Sequence, residues 1–169
     1  MTALTEHQKT MQAVWQQHGY AEFILKDPKA AIATMCPNPY ILCVPLGQLL
    51  LGRDQVYSFY ANDFLCNIPS EVSLEPRMQV IGENHIVDEF VFKFKHDVEM
   101  PWKVPGIKPT GRNVEVIMMV IVGFEGDKIA FEHLMWDHAS VLTQLGVLNH
   151  AAAAIGQPSV ANVRKVTTG

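Results

Sequence analysis

The sequence of 169 residues is poor in charge and in cysteine, and each shortage excludes a class of protein. Charged residues make up 18% of the chain, the net charge is −4, and lysine and arginine form no cluster or stripe. Such a chain is not expected to bind nucleic acid or an anionic membrane surface as its main partner. The 49% share of hydrophobic residues excludes disorder over the whole chain, and the length suits a single core.

Three cysteines, Cys36, Cys43 and Cys66, are an odd number and lack the short spacing of a thiolate metal site. No histidine lies close to any of them in the sequence as a base for nucleophilic chemistry. We therefore expect reduced thiols that pack as small hydrophobic side chains, as in cytoplasmic proteins.

The longest uncharged and largely apolar run covers residues 30–51, but it contains Pro37, Pro39, Pro45 and Gly47. Proline and glycine at this density interrupt a membrane span. No secretory signal pattern opens the chain. Together these features predict a cytoplasmic protein without a membrane segment.

The spacing of apolar residues is helical in the first half of the chain and alternating in the second. Helices are predicted over residues 5–18, 20–25, 27–35, 53–65 and 139–145. Strands are predicted over residues 40–46, 72–81, 85–97, 113–124 and 128–136. Thr5 and Asp27 are the expected N-caps of the first and third helices, since their side chains can accept bonds from free backbone amides.

Helices followed by long antiparallel strands indicate an α+β domain, which we expect to cover residues 1–150 with its helices on one face of a curved sheet. Residues 151–169 are expected to form a tail that is loosely held or docks on a partner. The strands over 113–124 and 128–136 are apolar on both faces, so both faces need cover. Helices can cover the concave face, and a second subunit is the simplest cover for the other. We therefore expect a homodimer formed through the sheet.

His96 lies at the end of a predicted strand in which phenylalanines alternate. Phe90, Phe92 and Phe94 share a face with His96, whereas Lys93 lies on the other face. The phenylalanine face must point into the core, where burial disfavours the charged imidazole. A core histidine bonded to a backbone carbonyl explains the same pattern, and this alternative stays open.

On the last predicted strand, alternation groups Asp137 with Ile129, Phe131 and His133, and leaves Glu132 on the other face. A carboxylate in line with apolar residues is costly to bury unless it is paired or protonated, which suits an acid/base group. Asp137 also directly precedes the last predicted helix, whose N-terminus it can cap. Both roles stay open at this point.

Glu132, His133, Asp137 and His138 have the composition of a metal site. On a strand, however, His133 and Asp137 are separated by about 13 Å, at ~3.3 Å per residue. One ion cannot bind both without a sharp bend in the chain, so we expect no metal site.

Two further segments carry aromatic or imidazole side chains. On the first helix, Trp15 and His18 share one side with Met11 and Val14. The loop over residues 100–112 contains three prolines and two glycines but lacks the spacing of a phosphate-binding loop. We expect it to form a stiff pocket rim, with Trp102 over the opening.

Five short motifs follow one another in the second half of the chain. They are Phe94-Lys-His-Asp97, Val104-Pro-Gly-Ile-Lys-Pro-Thr-Gly-Arg112, Gly126-Asp-Lys-Ile129, Glu132-His-Leu-Met-Trp-Asp137 and Ala139-Ser-Val-Leu-Thr-Gln-Leu-Gly146. In this order they resemble the SnoaL-like branch of the nuclear-transport-factor-2-like superfamily. The resemblance is strongest over residues 90–148, and upstream it rests on a compatible order of helices and a strand.

The resemblance implies a cone-shaped α+β barrel, in which a strongly bent antiparallel sheet surrounds a deep apolar pocket closed by the N-terminal helices. The superfamily includes polyketide cyclases and ketosteroid isomerase as well as non-catalytic binding modules. In the cyclases, a histidine resembling His96 and an aspartate resembling Asp137 sit in the pocket. The aspartate acts there as the acid/base, without a cofactor or metal.

Strand alternation and the resemblance together predict a cofactor-free enzyme of isomerase, cyclase, dehydratase or hydrolase type. Its expected substrate is a lipophilic carbonyl or polyketide-like compound, with Asp137 as the acid/base and His96 as its partner. The expected substrate-binding residues are Trp15, Tyr40, Tyr60, Phe94, Trp102 and His133. The alternative is a non-catalytic module of the same fold that binds a small apolar ligand or dimerises.

Overall fold

A computed structural model describes residues 3–149, 151 and 160–167, in which six strands form one mixed sheet. The strands are β1 Met35–Cys43, β2 Gln48–Leu51, β3 Val72–Ile81, β4 His85–Lys95, β5 Asn113–Glu125 and β6 Lys128–Trp136. Their order is β2-β1-β6-β5-β4-β3, so β2 and β3 are edges and the sheet is not closed. β1 and β6 pair in parallel, and every other neighbouring pair is antiparallel.

The α-helices of the described residues are α1 Glu6–Tyr20, α2 Pro28–Ala33, α3 Gly52–Ser58, α4 His138–Gln144 and α5 Val160–Thr167. Two π-helical segments, Ala21–Leu25 and Phe59–Phe64, continue α1 and α3. The predicted caps are confirmed. Thr5 accepts a bond from the Gln8 amide, and Asp27 accepts one from the Lys29 amide.

The predicted α+β fold is confirmed, but the sheet is mixed instead of antiparallel as predicted, because β1 pairs in parallel with β6. The first strand and its edge partner also differ from the prediction. β1 begins at Met35 instead of residue 40, and β2 was not predicted. Pro37 and Pro39 cannot donate ladder hydrogen bonds. They lie where the β1–β6 register shifts, between Met35 and Tyr40, so the strand tolerates them.

The two faces of the sheet differ in how far their side chains are buried. Phe90 and Phe92 of β4, with Met118 and Val120 of β5, lie on the inner face and are buried. The outer-face residues of β5 and β6 remain partly exposed. They include Ile117, Met119, Ile121, His133 and Met135.

A bulge in β6 changes which of its side chains face inward. Phe124 pairs with Ile129 and Gly123 pairs with Phe131, so Ala130 is an extra residue without a partner on β5. After Ile129, the next side chain that points inward is therefore Glu132 instead of Phe131. The face that strand alternation assigned to Asp137 was wrong for this reason.

The predicted tail is only partly described, because residues 152–159 lie outside the described residues. Its α5 contacts the outer face of β3 and β5 through Arg164. The guanidinium lies 2.9 Å from a carboxylate oxygen of Glu75 and 2.9 Å from one of Glu115. The last turns of the chain thus cover part of the outer face of the sheet.

Candidate functional site

A cavity of about 730 Å³ lies between the inner face of the sheet and the helical segments. Aromatic side chains form much of its wall, and they include Trp15, Phe23, Phe59, Phe92, Trp102 and Trp136. Tyr20, Ile24 and Met78 also line the cavity and are about half exposed, so its mouth lies between the first π-helical segment and β3. A volume of this size is sufficient for a small organic molecule.

Four polar side chains, which we call the polar cluster, meet at the wall of this cavity. They are His18, Glu22, Tyr60 and Glu132. Nε2 of His18 lies 3.2 Å from Oε1 of Glu22 and 3.2 Å from Oε1 of Glu132. The Tyr60 hydroxyl donates to Oε1 of Glu132 at 3.1 Å. Glu22, Tyr60 and Glu132 line the cavity, whereas His18 is fully buried.

Thr34 determines which protons His18 carries. The Thr34 hydroxyl donates to the carbonyl oxygen of Ala31 at 2.7 Å, so at 2.6 Å its oxygen accepts the Nδ1 proton of His18. Nε2 then faces two carboxylate oxygens, and a bare lone pair there would be repelled by both. A second proton must therefore be shared among Nε2, Glu22 and Glu132.

The charges of the polar cluster favour the imidazolium. Burial by itself lowers the pKa of His18, but the carboxylates of Glu22 and Glu132 outweigh it and raise the pKa to about 10. Burial raises the pKa of the Glu22 carboxyl, although the positive charge of His18 acts to lower it. Burial and the two carboxylates also raise the pKa of the Tyr60 hydroxyl. At neutral pH the cluster therefore holds a buried imidazolium between two carboxyl groups.

The same residues are the donor set that could hold a metal ion. The ligand atoms of His18, Glu22 and Glu132 lie within 4.8 Å of one another. This set differs from the one considered in the sequence, where Glu132 was grouped with His133, Asp137 and His138.

Asp88 of β4 is a further acidic group at the cavity wall. Its Oδ2 accepts the indole N–H of Trp15 at 2.8 Å. Burial raises the pKa of Asp88, although hydrogen bonds from Trp15 and Gln79 act against this shift. Among the residues that the structure describes, no basic side chain forms an ion pair with Asp88.

Lys103 is fully buried next to the cavity wall, although it does not line the cavity. Its Nζ lies 3.9 Å from the ring centre of Trp136 and 5.1 Å from that of Phe92. Nζ donates to the sulfur of Met118 at 3.0 Å, a weak acceptor. Burial lowers the pKa of Lys103 well below its usual value.

The predicted catalytic pair is not brought together at this cavity. Asp137 is exposed and caps α4, where its Oδ1 accepts the Ser140 amide at 2.9 Å. His96 is buried, and its Nδ1 accepts the Thr110 amide at 3.3 Å. Its Nε2 is buried without a partner among the described residues, and burial lowers its pKa. Neither side chain lines the cavity, and their assignment as the catalytic pair stays a prediction.

Of the six predicted substrate-binding residues, Trp15, Tyr60 and Trp102 line the cavity. Trp102 is 7% exposed and so forms part of the wall instead of covering the opening.

The other three predicted substrate-binding residues lie elsewhere. Tyr40 and His133 are on the outer face of the sheet, where the Tyr40 hydroxyl lies 3.1 Å from Nε2 of His133. Phe94 packs on Phe92, with ring centres 5.4 Å apart, and does not line the cavity.

Sequence reasoning missed Glu22 and Glu132. Glu22 follows His18 by four residues, so one helical face carries both side chains, and this spacing was a usable signal. Glu132 shares its face with Leu134 and Trp136, which is the inner face once the bulge is known. His18 was found on the apolar side of the first helix but was given no role.

All three cysteines are free; Cys36 and Cys43 are buried and Cys66 is exposed. Burial raises the pKa of the Cys43 thiol to about 11. Among the described helices, none has the length and apolar character that crossing a membrane requires.

No protein-family model matches the sequence, and no curated protein matches it. Solved structures do match the fold. A candidate SnoaL-like polyketide cyclase from Jannaschia sp. CCS1 has 12% identity and a TM-score of 0.72, over 88% of this chain and 100% of that chain. A hypothetical protein from Catenulispora acidiphila with a ketosteroid isomerase-like fold, in complex with trimethylamine, has 18% identity and a TM-score of 0.62, over 80% and 93%.

TerC, co-crystallised with polyporic acid, has 14% identity and a TM-score of 0.59, over 81% of this chain and 98% of that chain. At identities this low, the structural match establishes the fold and leaves the reaction open. The chain therefore has the α+β cone fold of SnoaL-like, ketosteroid isomerase-like and nuclear-transport-factor-2-like proteins, in agreement with the resemblance read from its motifs. Proteins of this fold hold small ligands, as the two complexes demonstrate.

Proposed function

We propose that this protein is an enzyme that moves protons on a lipophilic carbonyl compound, as isomerases, cyclases and dehydratases do. The observation that supports it is the polar cluster, which holds a shared proton at the wall of an otherwise apolar cavity. A buried carboxyl group whose pKa is raised, as that of Glu22 is, is suited to abstracting and returning protons next to a carbonyl group.

The positions of the cluster residues suggest separate roles. Glu132 and Glu22 reach the cavity, so either carboxylate can contact a ligand proton. His18 lies 3.2 Å from both carboxylates and can carry the proton from one to the other. Thr34 is a positioning residue, because its bond to Nδ1 holds Nε2 toward the carboxylates.

The ligands of the two structural neighbours do not define the substrate. One neighbour was crystallised with trimethylamine and the other with polyporic acid, two compounds of different chemistry. We therefore base the proposed reaction on the polar cluster of this chain. The non-catalytic alternative differs in one measurable respect, since it predicts binding without proton exchange.

The test is hydrogen–deuterium exchange at the α-carbon of 2-tetralone, a lipophilic ketone, followed by NMR in D₂O. We expect the wild-type protein to accelerate exchange above the buffer rate, and Glu132→Gln to reduce that acceleration by about 10²-fold or more. Glutamine keeps a hydrogen-bond acceptor for Tyr60 but cannot take up the proton. Circular dichroism checks that the variant is folded.

Asp137→Asn is the informative companion variant, because asparagine also caps helices well and leaves α4 intact. If exchange is lost in Asp137→Asn and kept in Glu132→Gln, the proposal fails and the sequence-based assignment of Asp137 gains support. Binding of 2-tetralone by wild-type protein without accelerated exchange favours the non-catalytic alternative.

We also propose that the chain forms a homodimer through the outer face of its sheet. Met119, Ile121 and Met135 are partly exposed there. Light scattering coupled to size exclusion should give twice the chain mass for wild-type protein at micromolar concentration. Ile121→Lys should give the mass of one chain, since it places a charge in the buried interface. A monomeric wild-type protein would contradict the proposal.

A further inference from the structure

The wall of the cavity carries more negative than positive charge. Glu22, Asp88 and Glu132 line it with carboxyl groups. Arg77 is the one basic residue among the described lining residues, and its guanidinium lies 2.7 Å from a carboxylate oxygen of Glu75. A buried carboxylate without a cation is costly, so this wall is poorly matched to an anionic ligand.

The nearby cations do not remove the imbalance. His18 is shared by two carboxylates of the polar cluster. Lys103 adjoins the wall, but burial lowers its pKa well below the usual range and favours the neutral amine. Of the three carboxyl groups that line the cavity, Asp88 is therefore the one that forms no ion pair within the described residues.

Two aromatic side chains, Trp15 and Phe90, line the cavity near Asp88. Trp15 donates its indole N–H to Asp88 and also lines the cavity. Phe90 follows Asp88 by two residues on β4, so both side chains lie on the inner face of the sheet. Aromatic faces attract alkylammonium groups, and most strongly where water is excluded.

We propose that the cavity takes a ligand with a cationic nitrogen attached to an apolar body, with Asp88 as the counter-ion and Trp15 and Phe90 against the alkyl groups. The inference deepens the proposed function, because it concerns the ligand of the same cavity and assigns recognition to Asp88 and proton transfer to the polar cluster.

The test compares two compounds of the same shape and different charge. Benzyl(2-hydroxyethyl)dimethylammonium carries the cationic nitrogen, and 3,3-dimethyl-4-phenylbutan-1-ol has carbon in its place. Tryptophan fluorescence or calorimetry gives the Kd of each for the wild-type protein. We expect the ammonium compound to bind at least about tenfold more tightly.

Variants of two neighbouring residues then test whether Asp88 is the source of the preference for the ammonium compound. Asp88→Asn keeps the size of the side chain and removes its charge, and we expect the preference for the ammonium compound to disappear. Glu89→Gln removes the same charge from the next residue, which does not line the cavity, and should leave the preference unchanged.

Equal affinity of the two compounds for wild-type protein overturns the inference, and that comparison needs no variant to fold. A preference that persists in Asp88→Asn overturns the assignment of Asp88. Neither result affects the exchange experiment with 2-tetralone, so a failure of this inference and a failure of the proposed function are distinguishable.

Discussion

Replacing Lys103 by methionine is expected to raise the free energy of unfolding by roughly 2 kcal/mol at neutral pH. The Lys103 side chain is fully buried, and its Nζ donates to a thioether sulfur at 3.0 Å, a poor substitute for water. Methionine is unbranched and of similar length, so it can fill the same space between Trp136 and Phe92 without a polar end. Urea unfolding of both proteins measures the difference.

The stability that Lys103→Met gains over the wild-type protein should decrease as the pH rises. Burial lowers the pKa of folded Lys103, whereas in the unfolded chain the lysine stays protonated up to about pH 10.5. The unfolded state of the wild-type protein therefore binds one proton more, and wild-type stability rises with pH through this window. The advantage of Lys103→Met should shrink as the pH approaches 10.5.

Lys93→Met is the matched control, because Lys93 of β4 is a partly exposed lysine that pairs with Glu75 at 2.9 Å. Its replacement should change stability by less than about 1 kcal/mol. A loss of stability in Lys103→Met would mean that the contact of the amine with the Trp136 ring outweighs the cost of burial.

Replacing His18 by leucine is expected to destabilise the protein by about 3 kcal/mol near pH 6. The change leaves the carboxyl groups of Glu22 and Glu132 buried without the imidazolium that now lies 3.2 Å from each. Removing one partner of a buried ion pair costs more stability than removing both partners, because the remaining charge is then buried without a counter-ion.

The pH profile of this loss follows from the pKa shifts. The pKa of folded His18 is raised to about 10, so its contribution is complete below pH 6.5 and is lost as the pH rises through 10. In the variant, the pKa of Glu22 rises further above 4.5, so the variant regains stability as the pH falls toward that value. The difference from wild type should therefore be largest near pH 6.5 and should become smaller both toward pH 10 and toward pH 4.5.

Two comparisons sharpen this measurement. His7→Leu removes an exposed histidine of the same helix and should change stability by less than about 0.5 kcal/mol. Adding Glu22→Gln to His18→Leu should recover part of the loss at pH 8, because one buried charge is removed. A loss that is the same from pH 5 to pH 10 would contradict the assigned protonation of the polar cluster.

The parts of the fold that the sequence predicted well are those fixed by short-range chemistry. β3 and β6 begin and end at the predicted residues. Both lie next to tight turns, and Gly126 has the positive φ of 60° that such a turn requires. Thr5 and Asp27 act as caps for the same local reason. These features need no knowledge of the distant chain.

The candidate site was harder to predict because one extra residue changes a whole strand face. Ala130 adds that residue to β6, and it exchanges the inward positions of Phe131 and Glu132. A cue exists at Gly123, where an added Cβ would overlap the Phe131 ring. A glycine inside a strand indicates a bulge or a close approach, but it does not state which residue of the partner is extra.

The polar cluster also depends on contacts between distant parts of the chain. The spacing of His18 and Glu22 is local, whereas Glu132 lies on β6, which pairs in parallel with the distant β1. No periodicity in a single segment predicts that pairing. The aromatic part of the cavity was easier, because Trp15 and Tyr60 lie on apolar helix faces that must point inward.

The parallel pairing of β1 with β6 has a consequence for synthesis on the ribosome. Tyr40 of β1 pairs with Phe131 of β6. Because β6 is synthesised long after β1, this pairing cannot form until most of the chain has been made. A nascent chain that stops before residue 128 has no β6, and its β1 lacks the neighbour that holds it in the sheet. The imidazole and the second carboxylate therefore meet only at the end of assembly, and a truncated product would be both incompletely folded and without its proton-sharing group.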